Sequence, residues 1–175
     1  NSKLQTVNID RIMDEGVVFT DAHTSSSVST PSRYSLLTGR YNWRSDMKQG
    51  VLNGYSKSLI RPDRRTIAHV LRDNGYTTAC IGKWHLGWNW NNIENGTDKV
   101  DFSKSVTEGP TTHGFDYFYG ISGSLDMAPY VYLENDKPTA LPNRVTGNKE
   151  KFSWWREGPT ASDFVHEQVL PNFID

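Results

Sequence analysis

Arg65-Thr66-Ile67-Ala68-His69-Val70-Leu71-Arg72-Asp73-Asn74-Gly75-Tyr76-Thr77-Thr78-Ala79-Cys80-Ile81-Gly82-Lys83-Trp84-His85-Leu86-Gly87 is the stretch on which the fold turns. Ile67, Val70 and Leu71 share one helical stripe, which predicts a helix from about Arg65 to Asn74 that stops at Gly75. Tyr76 to Ile81 reads as a buried central strand. Upstream, Ile9, Ile12 and Met13 predict a helix over residues 8–15 closed by a left-handed Gly16, and Val17-Val18-Phe19-Thr20 predicts a strand. Between them, a helix over Pro31 to Thr38 is expected, capped by Ser29 or Thr30 and closed by Gly39. The alternation predicts an α/β fold, a layered and mostly parallel sheet flanked by helices.

Downstream the pattern loosens. Residues 87–112 are rich in Asn, Gly, Asp and Thr and read as long surface loops. Tyr130 to Leu133 reads as a further strand and Pro138 to Gly158 as irregular, and a last helix is expected from near Ser162 past Pro171. There is no internal repeat and no low-complexity segment.

Composition narrows the partners. With 175 residues the chain is long enough for one domain, or a large piece of one. Nineteen Lys and Arg face twenty Asp and Glu, a formal net charge of -1. No broad field therefore draws nucleic acid or an anionic membrane, and any anion must be held by local design. No apolar run approaches the roughly 18 residues that span a bilayer. The start, Asn1-Ser2-Lys3-Leu4, suggests a processed or trimmed beginning. Cys80, the single cysteine, is expected to be a buried, inert thiol. Trp84, Trp88, Trp90, Trp154 and Trp155 suit either core packing or a sugar-binding cleft.

The chemistry gathers in two places. A side chain at residue 29 would meet the free N–H groups and positive dipole end of the following helix, and Arg33, four residues on, would share its face. After the strand ending at Ile81 comes Gly82-Lys83-Trp84-His85-Leu86-Gly87, at the strand end where open α/β sheets bind ligands. If the chain stays extended there, Lys83 and His85 project to one side. An ammonium could neutralise a sulfate or phosphate oxygen, and an imidazole could move a proton near neutral pH. Each residue alone also fits a structural role: a cap, a solvated arginine, a strand-end polar group.

Taken together these motifs resemble the sulfatase family. Ser29-Thr30-Pro31-Ser32-Arg33-Tyr34-Ser35-Leu36-Leu37-Thr38-Gly39-Arg40 fits the family signature at every fixed position. Gly75-Tyr76 with Gly82 to Gly87 matches the second signature, and His113-Gly114-Phe115-Asp116 a third run. The resemblance implies an alkaline phosphatase-like fold, with residues 1–175 forming part of the N-terminal catalytic domain without its first strand region or its later metal-binding part.

The resemblance also implies hydrolysis of a sulfate ester, on a carbohydrate or an aryl group. Ser29 would be oxidised by a maturation enzyme to formylglycine, whose hydrated aldehyde carries two hydroxyls, one to attack and one to let sulfate leave. Ser29 would thus be nucleophile and metal ligand, Arg33 would orient it, Lys83 would bind sulfate, and His85 would assist elimination. By looser alignment Ser124 touches the sulfate or its neighbours, while His113 is read as structural. The divalent metal, calcium in the family, takes an early Asp-Asp pair and a later Asp-Asn pair, neither recognisable here, so the complete site is expected to need the remaining sulfatase sequence, in a longer parent or a partner chain. An exported location, periplasmic, secreted or lysosomal, is expected. A phosphate or phosphonate ester hydrolase and a non-catalytic anion-binding module remain alternatives. His23, His69 and His166 are read as surface or turn residues, and Asn95-Gly96-Thr97 as a glycosylation sequon only in a eukaryotic secreted protein.

Overall fold

The computed structural model describes residues 3–92 and 99–175, so the sequon at Asn95 lies outside the described residues. Its helices are α1 (Val7–Glu15), α2 (Ser29–Thr38), α3 (Ile67–Asp73) and α4 (Val169–Ile174). Its strands are β1 (Ala79–Lys83), β2 (Tyr117–Ile121), β3 (Leu133–Glu134), β4 (Lys137–Pro138), β5 (Pro142–Asn148) and β6 (Trp155–Ala161). Among the described residues no helix is long and apolar enough to cross a membrane.

The α/β class holds, with a mixed sheet. β1 pairs parallel with β2 in a register running from Ala79 opposite Tyr117 to Lys83 opposite Ile121. β2 and β3 then pair antiparallel, and so do β3 and β4, whose short turn leaves no room for the crossover that parallel strands require. Among the described residues the parallel ladder is that of β1 and β2, with one isolated parallel bridge between Tyr130 and Thr160, and β1 lies at the edge of the four-stranded sheet rather than at its centre. A second sheet is the β5–β6 hairpin, in the segment read from sequence as irregular. Its Gly147, Gly158 and Pro159, together with two register shifts, hide the alternation that would announce strands.

Local signals fared unevenly. Gly39 closes α2 as expected, at φ 65 with its N–H on the Ser35 carbonyl at 2.9 Å. The helix begins earlier than expected, at Ser29 with Val28 as N-cap, so Ser29 stands in its first turn instead of capping it. Near the N-terminus the expectations fail. Gly16 is extended rather than left-handed, and residues 17–20 form no strand. Ile9, Ile12, Val17 and Phe19 are exposed. Among the described residues no strand lies beside 17–20, and strand propensity without a ladder does not make a strand.

α3 is shorter than expected, and its apolar stripe Ile67, Val70 and Leu71 faces outward while Ala68 is buried. The reason is close backbone approach: a Cβ at Gly114 would lie 2.7 Å from the His69 nitrogen, so the helix docks through its small residue. His69, read as a surface residue, instead caps α3, its Nδ1 accepting from the Thr66 N–H at 3.2 Å. The Thr66 hydroxyl donates to the His113 carbonyl at 2.6 Å, and Asp116 receives both the N–H and the hydroxyl of Thr78. The run His113 to Asp116 thus joins α3 to the amino ends of β1 and β2.

The core gathers Tyr34, Trp84, Trp88, Phe118, Tyr132 and Phe164. Trp84 and Trp88 are core residues, whereas Trp154 is about half exposed. Tyr130 to Tyr132 are buried, although the ladder there holds only Leu133 and Glu134. The last helix starts at Val169, after a short turn at His166–Gln168, rather than near Ser162. Cys80 is half-buried, and burial pushes its thiol up to about 11, so it stays protonated.

Candidate active site

Two elements converge at the carboxyl end of β1: the first turn of α2 and the loop Trp84 to Gly87. The expected extension does not persist there, since His85 has φ 56, in the left-handed region that side chains rarely adopt. It is held there from three sides. The His85 N–H donates to the Ser122 carbonyl at 2.9 Å, and its carbonyl accepts from the Thr30 hydroxyl at 3.0 Å. Its ring Nε2 meets the Leu52 carbonyl at 2.6 Å. Gly87, at φ 71, completes the turn, and a Cβ there would stand 2.0 Å from the Lys57 carbonyl oxygen. The turn, and not strand alternation, brings Lys83 and His85 to the same place.

The pattern of partners assigns the protons. A carbonyl only accepts, so His85 carries its proton on Nε2, and Nδ1 presents a lone pair. That lone pair lies 2.9 Å from Ser29 Oγ. Arg33 Nε donates to the same oxygen at 3.0 Å, so the Ser29 proton points at His85 Nδ1. Burial, with smaller contributions from Lys83 and Arg33, lowers the His85 pKa against the opposing Leu52 hydrogen bond. A neutral ring is therefore the resident form near neutral pH.

The cations complete the cluster. Arg33 also donates through a terminal nitrogen to the Lys83 carbonyl at 2.5 Å, and Lys83 Nζ donates to Ser124 Oγ at 2.8 Å. Among the described residues neither cation has a carboxylate ion-pair partner. Burial lowers both pKa values, and the Arg33 charge lowers that of Lys83 further, opposed by Asp126. Two half-buried like charges without a counter-ion are costly, and an anion bound between them would relieve that cost.

The structure thus gathers Ser29, Arg33, Lys83, His85 and Ser124 in one cluster. Sequence reasoning missed two further groups. Thr30 bridges the cluster, donating to the His85 carbonyl while accepting from the Leu52 N–H at 3.1 Å. Leu52 acts through its backbone, which leaves no side-chain signature. His113 lies apart, fully buried, its Nε2 3.2 Å from Ser58 Oγ and its pKa pushed down to about 4 by burial.

An oxygen at residue 29 sits between a guanidinium donor and an imidazole acceptor, on a half-exposed side chain, a setting that fits a residue modified to carry reactive hydroxyls. A cation cage is another matter. Among the described residues no three His, Cys, Asp or Glu side chains gather to hold a metal ion, so these residues alone do not fit calcium.

A family model described as Sulfatase matches residues 1–168. The chain is 38% identical over 167 residues to an N-acetylgalactosamine-6-O-sulfatase of Bacteroides thetaiotaomicron, covering 94% of this chain and 31% of that protein. It is 41% identical over 127 residues to the steryl-sulfatase of Homo sapiens, covering 70% of this chain and 20% of that protein. A solved structure from work on glycosaminoglycan metabolism by Bacteroides thetaiotaomicron aligns with TM-score 0.68 at 37% identity, over 85% of this chain and 30% of that one. The chain spans about a third or less of the length of these relatives.

Proposed function

The chain belongs to the sulfatase family, and from that premise we propose that it supplies the nucleophile and the anion-binding groups of a sulfuric ester hydrolase acting on a sulfated carbohydrate or aryl sulfate. One observation carries the reading. Arg33 and Lys83, without a carboxylate partner among the described residues, converge with a Ser29 oxygen whose proton is aimed at a neutral imidazole. Family membership brings a mechanism based on formylglycine. When residue 29 is so modified, it supplies two hydroxyls on one carbon, one to attack sulfur and a second to drive sulfate off.

The chain's own groups have separate tasks. His85 Nδ1 accepts a proton from the residue-29 hydroxyl, and Leu52 holds the tautomer that makes this possible. Arg33 Nε donates to the same oxygen and fixes its direction. Lys83 meets the negative oxygens of the sulfate, while Ser124 orients the ammonium. The partners follow from this reading: a sulfate ester, the maturation enzyme, and the rest of a longer sulfatase chain.

The test is side-by-side turnover of 4-nitrophenyl sulfate and 4-nitrophenyl phosphate by the complete protein and its Lys83→Ala variant. Sulfate should be the better substrate, and the variant should lose about 100-fold or more in kcat/KM. Turnover of the phosphate alone, or full activity in Lys83→Ala, would contradict the reading.

A further inference from the structure

We infer that the cavity between the β5–β6 hairpin and the segment Leu125–Asp126 is a sugar subsite that takes an uncharged ring adjoining the sulfated one. The inference rests on the sulfate-ester reading and extends it to the rest of the substrate. The cavity, about 410 Å³, is lined by Trp154, Trp155, Phe152, Asp126, His166 and Glu167 among others. It adjoins the anion cluster. Asp126 follows Ser124 by two residues, a reach of at most about 7 Å, and its charge is felt by both Lys83 and His85.

The two tryptophans have different jobs. Trp155 stacks on His166 at 3.8 Å between ring centroids, and His166 Nε2 meets the Leu125 carbonyl at 3.1 Å. Burial lowers the His166 pKa, so the ring is neutral and donates to that carbonyl, not the solvated surface residue read from sequence. This stack ties the hairpin to the segment carrying Ser124. Trp154, the neighbouring residue, turns outward and is 48% exposed. The Arg156 guanidinium lies 5.0 Å from its ring centroid and is itself bound to the Asp126 carboxylate, which holds the indole in place.

The lining selects the ligand class. A fixed, half-exposed indole offers a flat apolar surface that suits the C–H face of a sugar ring. Asp126 and Glu167 accept hydrogen bonds, which suits sugar hydroxyls, and the lining holds no Lys or Arg to bind a second sulfate or a uronate. Arg156 is matched by Asp126, and Lys151 lies over the Phe152 ring.

The experiment has a binding arm and a turnover arm, both on the complete protein. Saturation-transfer NMR with the neutral disaccharide lactose should show binding that weakens about tenfold in Trp154→Ala and is largely kept in Trp154→Phe. In turnover, Trp154→Ala should lose about tenfold in kcat/KM for a monosulfated disaccharide and leave 4-nitrophenyl sulfate unchanged. Lactose binding that is absent, or equal in wild type and Trp154→Ala, would overturn the subsite, even if aryl sulfate is hydrolysed normally. Trp154-dependent binding in a protein that hydrolyses no sulfate ester would keep the subsite and remove the sulfate-ester reading instead.

Discussion

At the carboxyl end of the β1–β2 pair His85 receives a proton, whereas at the amino end His113 gives one away. Both rings are almost fully buried, and burial lowers both pKa values. The difference lies in the serine each one faces. Ser58 spends its proton on the Ile60 carbonyl at 3.0 Å, so its oxygen can only accept from His113 Nε2. Ser29 already accepts from Arg33, so its proton is left for His85 Nδ1. A depressed imidazole is common to a structural site and a reactive one; the direction of the hydrogen bond separates them.

The largest effect should come from deleting each ring in turn. In the complete protein, His85→Ala should lower the turnover of each folded molecule by about 10²–10⁴-fold. His113→Ala should do the reverse, lowering the melting temperature while each folded molecule keeps its turnover. Equal loss of kcat in the two variants would erase the distinction.

Next in size is the acid sensitivity of His113. Its pKa falls from an ordinary 6.5 to about 4 on folding. The unfolded chain therefore binds the proton first, and the stabilisation is fully present above 6.5 and lost as pH falls toward 4. Denaturant titrations across that interval should show a loss of up to about 3 kcal/mol, absent in His113→Phe. A loss of the same size in His113→Phe would assign it to other groups.

Thr30 tests the support of His85. Removing its hydroxyl with Thr30→Val should lower kcat about fivefold to tenfold, the worth of one or two net hydrogen bonds, with KM unchanged and with rescue in Thr30→Ser. A rise in KM alone would place Thr30 in substrate binding. Smallest is a shift in the acid limb of the kcat/KM profile. Because burial holds His85 neutral, the limb should fall below 6.5, the ordinary imidazole value. A limb above that value would mean that His85 gains a proton more readily than its surroundings allow.

How much of this was legible depends on whether a residue acts through its side chain. Ser29, Arg33, Lys83 and His85 stand in two short runs whose spacing the α2 turn and the β1 end preserve. Ser124, placed by a looser alignment, does reach Lys83. Leu52 contributes a carbonyl, which any residue has, and Thr30 occupies a position where many side chains fit a helix start. The left-handed His85 was invisible because nothing in its identity demands φ 56. At the N-terminus the opposite error occurs: Ile9, Ile12 and Val17 carry a pattern without a described surface to bury it. The β5–β6 hairpin stayed hidden behind glycines and prolines, and with it the cavity at Trp154.

Peptide mass spectrometry across Ser29, on fully active protein from its native host, bears most directly on the central claim that residue 29 is the reacting group. The account predicts loss of two hydrogens from the serine-containing peptide, as oxidation to formylglycine requires. An unmodified serine in a preparation that turns over sulfate esters would contradict it.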